Sequence, residues 1–447
     1  MEYDVIIVGS GPAGMFAAKK LAENGKKVLI LEKGKDLDKR TSKDLMCGVG
    51  GTGTFSDGKL HFTPVLSHKK ILDLCGKEKY ERIVKEVDET FTKFGVDSEY
   101  YPKDMDKVNE LVNECRKHGI MLYVRKTRHV GSDRLPQVIR NFYDYLLSQG
   151  VDLQTETTVK DIIVENGKVK GVVTDEGEFY GKNVILCPGR LGARWLQELA
   201  NKYGLDYKYE KIEVGVRVEF PASVLKRFSD EMYETVFSLR TPTFDDVVRT
   251  FCPCPNGRVA IEEYRYNDST LVCVNGYSTS KHDSPNSNFA LVTEINLTEP
   301  LENTIVYGKT IGLLANTIGG GKPIIQRYYD LKHGRRSTWE RINRSYVTPT
   351  LKDVVPGDIS MALPHRVVVD IMEGIEMLSR VLPGLNSGDT LLYAPEIKLR
   401  SSRIDTDQNL QTKIKGLYVA GDGAGISGNI VGAASSGIIA AEGILSK

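Results

Sequence analysis

The sequence predicts an α/β fold in three parts: a parallel-sheet domain assembled from separated stretches of chain, a helical insertion, and a mixed α+β domain. Three observations carry this. The first 32 residues read strand, glycine turn, helix, strand; residues 417–447 read strand, glycine turn, helix; and the chain between is rich in strand-like runs and aromatics.

Residues 3–9, YDVIIVG, are apolar and β-branched almost throughout, as suits a parallel strand covered on both faces. Gly9, Ser10, Gly11, Pro12, Ala13 and Gly14 follow, then a helical segment to about Asn24 with Gly25 as its stop. The next strand, KKVLILEK, ends at Glu32 and Lys33, with Arg40 in the segment beyond. Gly9 permits the tight turn, Gly11 lets the backbone approach a pyrophosphate, and Gly14 lets the helix pack closely on the strand. The helix N-terminus offers N–H groups and partial positive charge to phosphates. Glu32 is placed to accept from a ribose hydroxyl and to disfavour a 2′-phosphate. Strand, helix, second strand and terminal acid in register predict a Rossmann-type dinucleotide-binding unit.

Residues 66–124 are charged and helix-patterned (KEKYERIVKEVDETFTKF, MDKVNELVNECRKHG), predicting a helical insertion. TTVKDIIVENGKVKGVVTDEGEFYG alternates like an antiparallel meander with turns at Asn166–Gly167 and Glu176–Gly177. KNVILCPGRLG adds a strand and a turn at Cys187, Pro188 and Gly189. Leu417–Ala420, Gly421–Asp422, a turn through Gly428, and a small-residue helix from about Asn429 and Ile430 close the chain. The predicted dinucleotide-binding domain is 1–65, 125–215 and 396–447, with 66–124 as the insertion and 216–395 as the substrate or cap domain.

The fingerprint alone does not separate FAD from NAD, because both contain ADP. The C-terminal segment resembles the second FAD signature of the glutathione-reductase-like flavoproteins. That resemblance implies that Asp422 bonds the ribityl chain or pyrophosphate and that the last helix faces the flavin N1–C2=O edge, favouring reduced flavin. It also gives Val159 a backbone role beside adenine, and 182–192 as the strand and turn closing the FAD domain. No second GxGxxG follows a strand and opens a helix, so a separate NADPH domain is not expected.

Residues 47–62, CGVGGTGTFSDGKLHF, suit a backbone loop wrapping pyrophosphate and flavin, with Gly50, Gly51, Thr52, Gly53, Thr54, Asp57 and Gly58 as its candidates. Here the chain resembles the bacterial FAD-dependent, or NAD(FAD)-utilising, dehydrogenases. The resemblance continues through HVGSDRL, RTFCPCPNGRV, VNGYS, NSNFALV and APEIKLRSS. Thr52 departs from the expected Ala, and the GISGN turn is a variant. The resemblance implies non-covalent FAD and an oxidoreductase, and leaves the substrate open.

Asp57 and Lys59 are the leading polar candidates for proton handling near the flavin; the alternative is that Asp57 fixes the loop and Lys59 meets phosphate or solvent. Arg403 or Lys398, near Glu396 and Arg400, could anchor a substrate carboxylate, although an exposed charged strand would read the same. Tyr264, Arg265 and His365 are weaker candidates. Cys252 and Cys254 form a Cys-x-Cys, read either as a redox pair or as a rigid loop, and His61 or Cys47 could carry a covalent flavin link. No metal site is predicted.

The chain has 447 residues and net charge +1, which gives no electrostatic reason to expect a nucleic acid or an anionic membrane. Seven cysteines without dense spacing argue against a disulfide framework, and no apolar run approaches ~20 residues. The N-terminus reads as a strand rather than a signal peptide, so a cytoplasmic location is expected. The expected function is hydride transfer between flavin N5 and a small organic substrate, with NADH, NADPH or a protein electron carrier as redox partner and a homo-oligomer as a candidate state. An RNA-modifying flavoprotein, a monooxygenase and a flavin-binding sensor are the alternatives.

Overall fold

The computed structural model describes residues 2–41, 44–66, 68–265, 269–281, 283–296, 298, 303–398 and 402–447. The chain divides into two units: 1–98 with 133–210 and 400–447, and 99–132 with 211–399.

In the first unit the apolar run at the N-terminus forms strand β1 (Glu2–Val8), followed by helix α1 (Pro12–Ala22) and strand β2 (Val28–Leu31). β1 lies between β2 and the strand Glu178–Leu186, parallel to both. Asp152–Gln154 extends the sheet beyond β2, and Leu417–Val419 pairs parallel with Glu178–Leu186. The meander completes the seven strands: Val159–Glu165, Lys168–Thr174 and Glu178–Leu186 run antiparallel, with the first turn at Asn166 and Gly167, both at positive φ. The last helix, α2 (Ile430–Leu445), buries nearly every side chain it has and packs on α1. The helix Lys77–Lys93 lies over both: Phe91 meets Phe16 of α1 with ring centroids 5.2 Å apart, and Arg82 pairs with Glu442 of α2 at 2.9 Å.

The second unit is built on an eight-stranded sheet whose centre is Leu391–Lys398, Ile212–Pro221, Asn286–Ile295 and Val247–Cys254, all antiparallel. The hairpin Arg258–Arg265/Thr270–Tyr277 and the helices Thr304–Ile318 and His365–Leu378 cover it.

The stretch expected as one helical insertion, 66–124, is divided. Helices Lys69–Cys75 and Lys77–Lys93 fall in the first unit, whereas Met105–Lys117 falls in the second. The cause is Met121–Tyr123, which adds as an edge strand to Val236–Ser238 and draws the preceding helix with it. Lys103 N then donates to Glu231 O at 3.1 Å, and Glu114 pairs with Arg227. The parallel-sheet unit therefore resumes at 133 rather than 125, and the second unit spans 211–399 rather than 216–395.

Asp370, fully buried on the helix His365–Leu378, accepts from Thr241 Oγ1 at 2.8 Å, with Asp246 and its partner Arg366 beside it. Burial first, then the Asp246 charge, raises its carboxyl to about 6 from 3.8, against the opposing pull of Thr241 and Arg366. A folded carboxyl with a raised pKa binds protons more tightly than the unfolded chain, so stability falls as pH rises from about 4 to about 6. Asp370→Asn should remove that loss, leaving the variant about 1–2 kcal/mol more stable than the parent at pH 7.5 and little changed near pH 4. Urea unfolding at both pH values measures the difference.

Candidate functional site

Register decides where the candidate cofactor residues emerge. Val8 is level with Leu31 on one side and Leu186 on the other, and Leu186 is level with Val419. The four parallel strands thus end in one row, and the segments that leave it begin at Gly9, Glu32, Cys187 and Ala420. Cys187 N donates to Val8 O and Gly9 N to Leu31 O, both at 2.8 Å, and Ala420 N donates to Leu186 O at 3.0 Å. Loops beyond the carboxyl ends of parallel strands are where α/β sheets bind ligands.

Two glycines of the fingerprint are required by space. Gly9 has φ +102°, and a Cβ there would stand 2.2 Å from Cys187 O; at Gly14 a Cβ would stand 2.0 Å from Gly9 O. Gly11 is the N-cap of α1 and makes no side-chain cap, and Pro12 opens the first turn, so no side chain covers that turn's N–H groups.

Glu32 is buried and joins three loops. Its Oε2 accepts from Ser10 N at 3.0 Å and Ser10 Oγ at 2.7 Å, and its Oε1 from Gly34 N at 2.8 Å and Gly48 N at 3.1 Å. A ribose hydroxyl would share this carboxylate with Ser10. Glu32 O accepts from Thr157 N at 2.9 Å, which places the 157–159 strand start, with Val159, beside the same corner. Arg40, also buried, holds the glycine loop from the other side: Nη1 donates to Val49 O at 2.6 Å and Gly51 O at 3.0 Å, and Nη2 to Asp44 O at 2.9 Å and Leu45 O at 3.1 Å. Burial lowers its pKa to about 10, so it remains a cation at neutral pH. Gly50 N donates to Ser10 O at 3.0 Å. A methyl on Gly53 would lie 3.2 Å from Pro12 Cγ and 3.3 Å from Ile430 Cγ1, so the loop 50–54 meets the starts of both α1 and α2.

On the C-terminal side, Asn429 caps α2, accepting from Gly432 N at 2.7 Å. Asp422 pairs with Arg190 Nε at 3.4 Å and accepts from Ser427 Oγ. A Cβ on Gly423 would stand 2.4 Å from Gly189 O, tying this turn to Pro188–Gly189. Gly428 is exposed beside it. Lys33 borders Glu32, and Thr52 Oγ1 contacts Met46 Sδ at 3.8 Å. Arg190 was missed in the sequence; its only signal is its place directly after Pro188–Gly189.

These residues fit an FAD. The uncovered start of α1 beside the glycine loop presents N–H donors with no side chain over them, the cradle a pyrophosphate takes.

Lys59, on the short strand Lys59–His61, is wholly buried and pairs with Asp57 at 2.8 Å. It does not face solvent. Cys47 Sγ lies 3.7 Å from Glu32 Oε1; burial and then that carboxylate raise the thiol to about 12, which keeps it protonated and unreactive at neutral pH. His61 is buried, and its carbonyl meets His68 Nε2 at 3.1 Å. Arg403 sits exposed on the edge strand Arg403–Ile404, its Cα 2.8 Å from where a Gly425 Cβ would be.

In the second unit Lys398 is buried, 2.7 Å from Glu396 and 4.6 Å above the Phe251 ring, so its charge is already compensated rather than open for a carboxylate. Glu396 also faces the fully buried Arg217 at 3.7 Å. Arg217 donates to Asn288 Oδ1, Cys252 O and Cys254 Sγ, at 2.7, 2.6 and 3.4 Å. Cys252 and Cys254 are both buried. Tyr264 is buried on Glu262, and His365 is exposed at the start of its helix. Arg400 and the Arg265 side chain lie outside the described residues. Among the described residues no group of three or more His, Cys, Asp or Glu is placed to hold a metal, and no helix is long and apolar enough to cross a membrane.

Comparison with known proteins agrees with this arrangement. Residues 4–208 match the FAD binding domain family, and residues 211–399 match the FAD-dependent protein, C-terminal domain-like family. An uncharacterized protein of Clostridium beijerinckii is 26% identical over 99% of this chain and 80% of its own length. Protein FixC of Escherichia coli K12 is 27% identical over 50% of this chain and 45% of FixC, so the match spans less than half of that protein. Glycine oxidase from Bacillus cereus aligns over 99% of this chain and 95% of its own, with 16% identity and a TM-score of 0.45. With its first 208 residues carrying the FAD binding domain and their loops converging on one row of strand ends, the chain is an FAD-dependent oxidoreductase.

Proposed function

We propose that the chain exchanges a hydride between flavin N5 and a small organic substrate taken up by the unit 211–399, and that the Asp57–Lys59 pair handles the accompanying proton. The observation that carries the second half is the burial of Lys59 against Asp57 at 2.8 Å, at the strand that follows the 50–54 loop. A lysine is almost never fully buried without a partner, and burying the pair costs several kcal/mol unless it is used or well bonded.

FAD, when bound, supplies the two-electron chemistry. The chain's own residues supply the rest. The start of α1 and the 50–54 loop would hold the pyrophosphate, Glu32 would accept from the adenosine ribose, Asp422 with Arg190 would take the ribityl chain, and Asn429 and Ile430 at the start of α2 would meet the ring. Lys59 Nζ, held by Asp57, is the group offered for the proton. The glutathione-reductase-like ancestry and the cytoplasmic location belong to this reading as well.

The test begins with the absorbance spectrum and anaerobic titration with NADH and with NADPH. Bands near ~370 and ~450 nm that one nicotinamide bleaches support the reading and name the donor. A bound flavin that neither bleaches shifts the hydride source to organic substrates or protein carriers. A colourless protein that FAD does not reconstitute overturns it. Lys59→Met should keep the flavin bands and slow reduction by about 10²-fold or more, with the pH dependence of that step lost.

A further inference from the structure

We propose that Cys252 and Cys254 are a peroxide-reactive thiol pair that closes to a disulfide, a modification site separate from the flavin chemistry. Both sit in the strand Val247–Cys254 of the second unit, with Pro253 between them and Pro255 after. Both are free thiols in the structure.

The backbone draws the two residues together. The pairing of this strand with Asn286–Ile295 slips between Phe251, opposite Ala290, and Cys254, opposite Asn288, so three steps on one side match two on the other. Cys252 lies within the slip at φ +47°, a left-handed conformation uncommon outside glycine. Two steps of regular strand rise about 6.8 Å, the outer limit between the Cα atoms of a disulfide, and the slip shortens that span. The Cys254 sulfur is already turned back, 3.5 Å from Cys252 O.

One cation serves both thiols. Arg217 is fully buried, and its Nη2 donates to Cys252 O at 2.6 Å and to Cys254 Sγ at 3.4 Å. Against burial, the charges of Cys252, Cys254 and Glu396 hold its pKa above the ordinary arginine value. Its Nη1 has no hydrogen-bond partner. Its bonds to Cys252 O and Asn288 Oδ1 are to neutral groups, and Glu396 stands 3.7 Å off, drawn to Lys398 at 2.7 Å. A buried cation so placed favours an anion beside it, and a thiolate is the anion this pair can supply. The neighbouring hairpin leaves the space: a Cβ on Gly276 would stand 1.9 Å from Arg217 Nη2 and 2.5 Å from Cys254 Sγ. Cys252 Sγ faces the adjacent residue, Asn275, at 3.9 Å.

Burial selects the oxidant. Cys252 is 8% exposed and Cys254 0%, which shuts out bulky disulfides and leaves hydrogen peroxide, small and uncharged. The Cys254 thiolate attacks one peroxide oxygen, the O–O bond breaks, and the released hydroxide takes up the proton the thiol gave, leaving a sulfenic acid. Cys252 then attacks that sulfur, the S–S bond forms, and the sulfenic oxygen leaves as water with the Cys252 proton. Two thiols lose two electrons, and one peroxide becomes two waters.

In the test, the full chain as purified is treated with a few equivalents of hydrogen peroxide and digested with trypsin without reductant. Cleavage after Arg249 and Arg258 gives Thr250–Arg258, which holds Cys252 and Cys254 and no other cysteine. This peptide is expected to lose two hydrogens and regain them with dithiothreitol. Burial pushes the thiols of Cys115, Cys187 and Cys273 up, and these should react about 10-fold more slowly or less. Cys252→Ser should stop Cys254 at the sulfenic acid, captured by dimedone. The selectivity should vanish in urea, which parts Arg217 from the strand. A peptide that keeps its mass overturns the proposal. So do sulfinic acid without disulfide, oxidation no faster than at Cys115, no dimedone adduct in the variant, and selectivity that survives urea.

Discussion

Arg40→Ala is expected to give a protein that purifies without flavin and is destabilised by about 3–5 kcal/mol. One guanidinium supplies the donors for Val49 O, Gly51 O, Asp44 O and Leu45 O. Removing it leaves buried carbonyls unpaired at about 1–3 kcal/mol each, and only part is recovered by water entering the space. The glycine loop then has its Gly50–Ser10 and Gly48–Glu32 bonds left to hold it against α1. Arg40→Lys keeps the charge but not the fork, because an ammonium cannot span carbonyls on both sides in one plane. It should retain some flavin and sit between the two. Flavin content by absorbance and urea unfolding of the three apo-proteins measure both effects. If the alanine variant keeps its full flavin complement, the loop is not what holds the cofactor.

Glu32→Gln tests the opposite wall and should weaken FAD binding about 10²-fold while costing about 2–4 kcal/mol of stability. Both oxygens of Glu32 face donors: Ser10 N and Oγ on one, Gly34 N and Gly48 N on the other. An amide has one acceptor end, so whichever way it flips its NH2 points at N–H groups. Rotation of the Ser10 hydroxyl relieves one clash and no backbone donor. Equilibrium titration of apo-protein with FAD, alongside thermal unfolding, gives the two numbers. Unchanged affinity with lowered stability would assign Glu32 to the loops alone.

The cofactor side of this molecule was legible because its demands are local. Gly9 and Gly14 are there because no Cβ fits, and a βαβ unit of about thirty residues repeats the same demands in any sequence that builds it. The meander was legible for the same reason: Asn166–Gly167 is a turn that two flanking alternations require. The second unit was read less well. IEVGVRVEF alternates as a strand with one wet face would, yet all nine of its residues are buried. Glu213 is met by Arg249, Arg217 by Asn288 and Glu396, and Glu219 by Asn286 and Thr350, partners 36 to 179 residues away. Nothing local in the strand announces them. The split of 66–124 was hidden for a related reason, since a three-residue edge strand at Met121–Tyr123 is too short to carry a pattern.

The row of strand ends sets an order of events during synthesis. Three of its four segments, at Gly9, Glu32 and Cys187, leave the ribosome early, but the fourth, at Ala420, follows the whole of 211–399. Domains fold largely as they emerge, so the second unit can complete while the first still lacks Leu417–Val419 and α2. The first unit must wait with an open sheet edge along Val184–Leu186, and cofactor capture becomes the closing act of the chain's maturation rather than its seed.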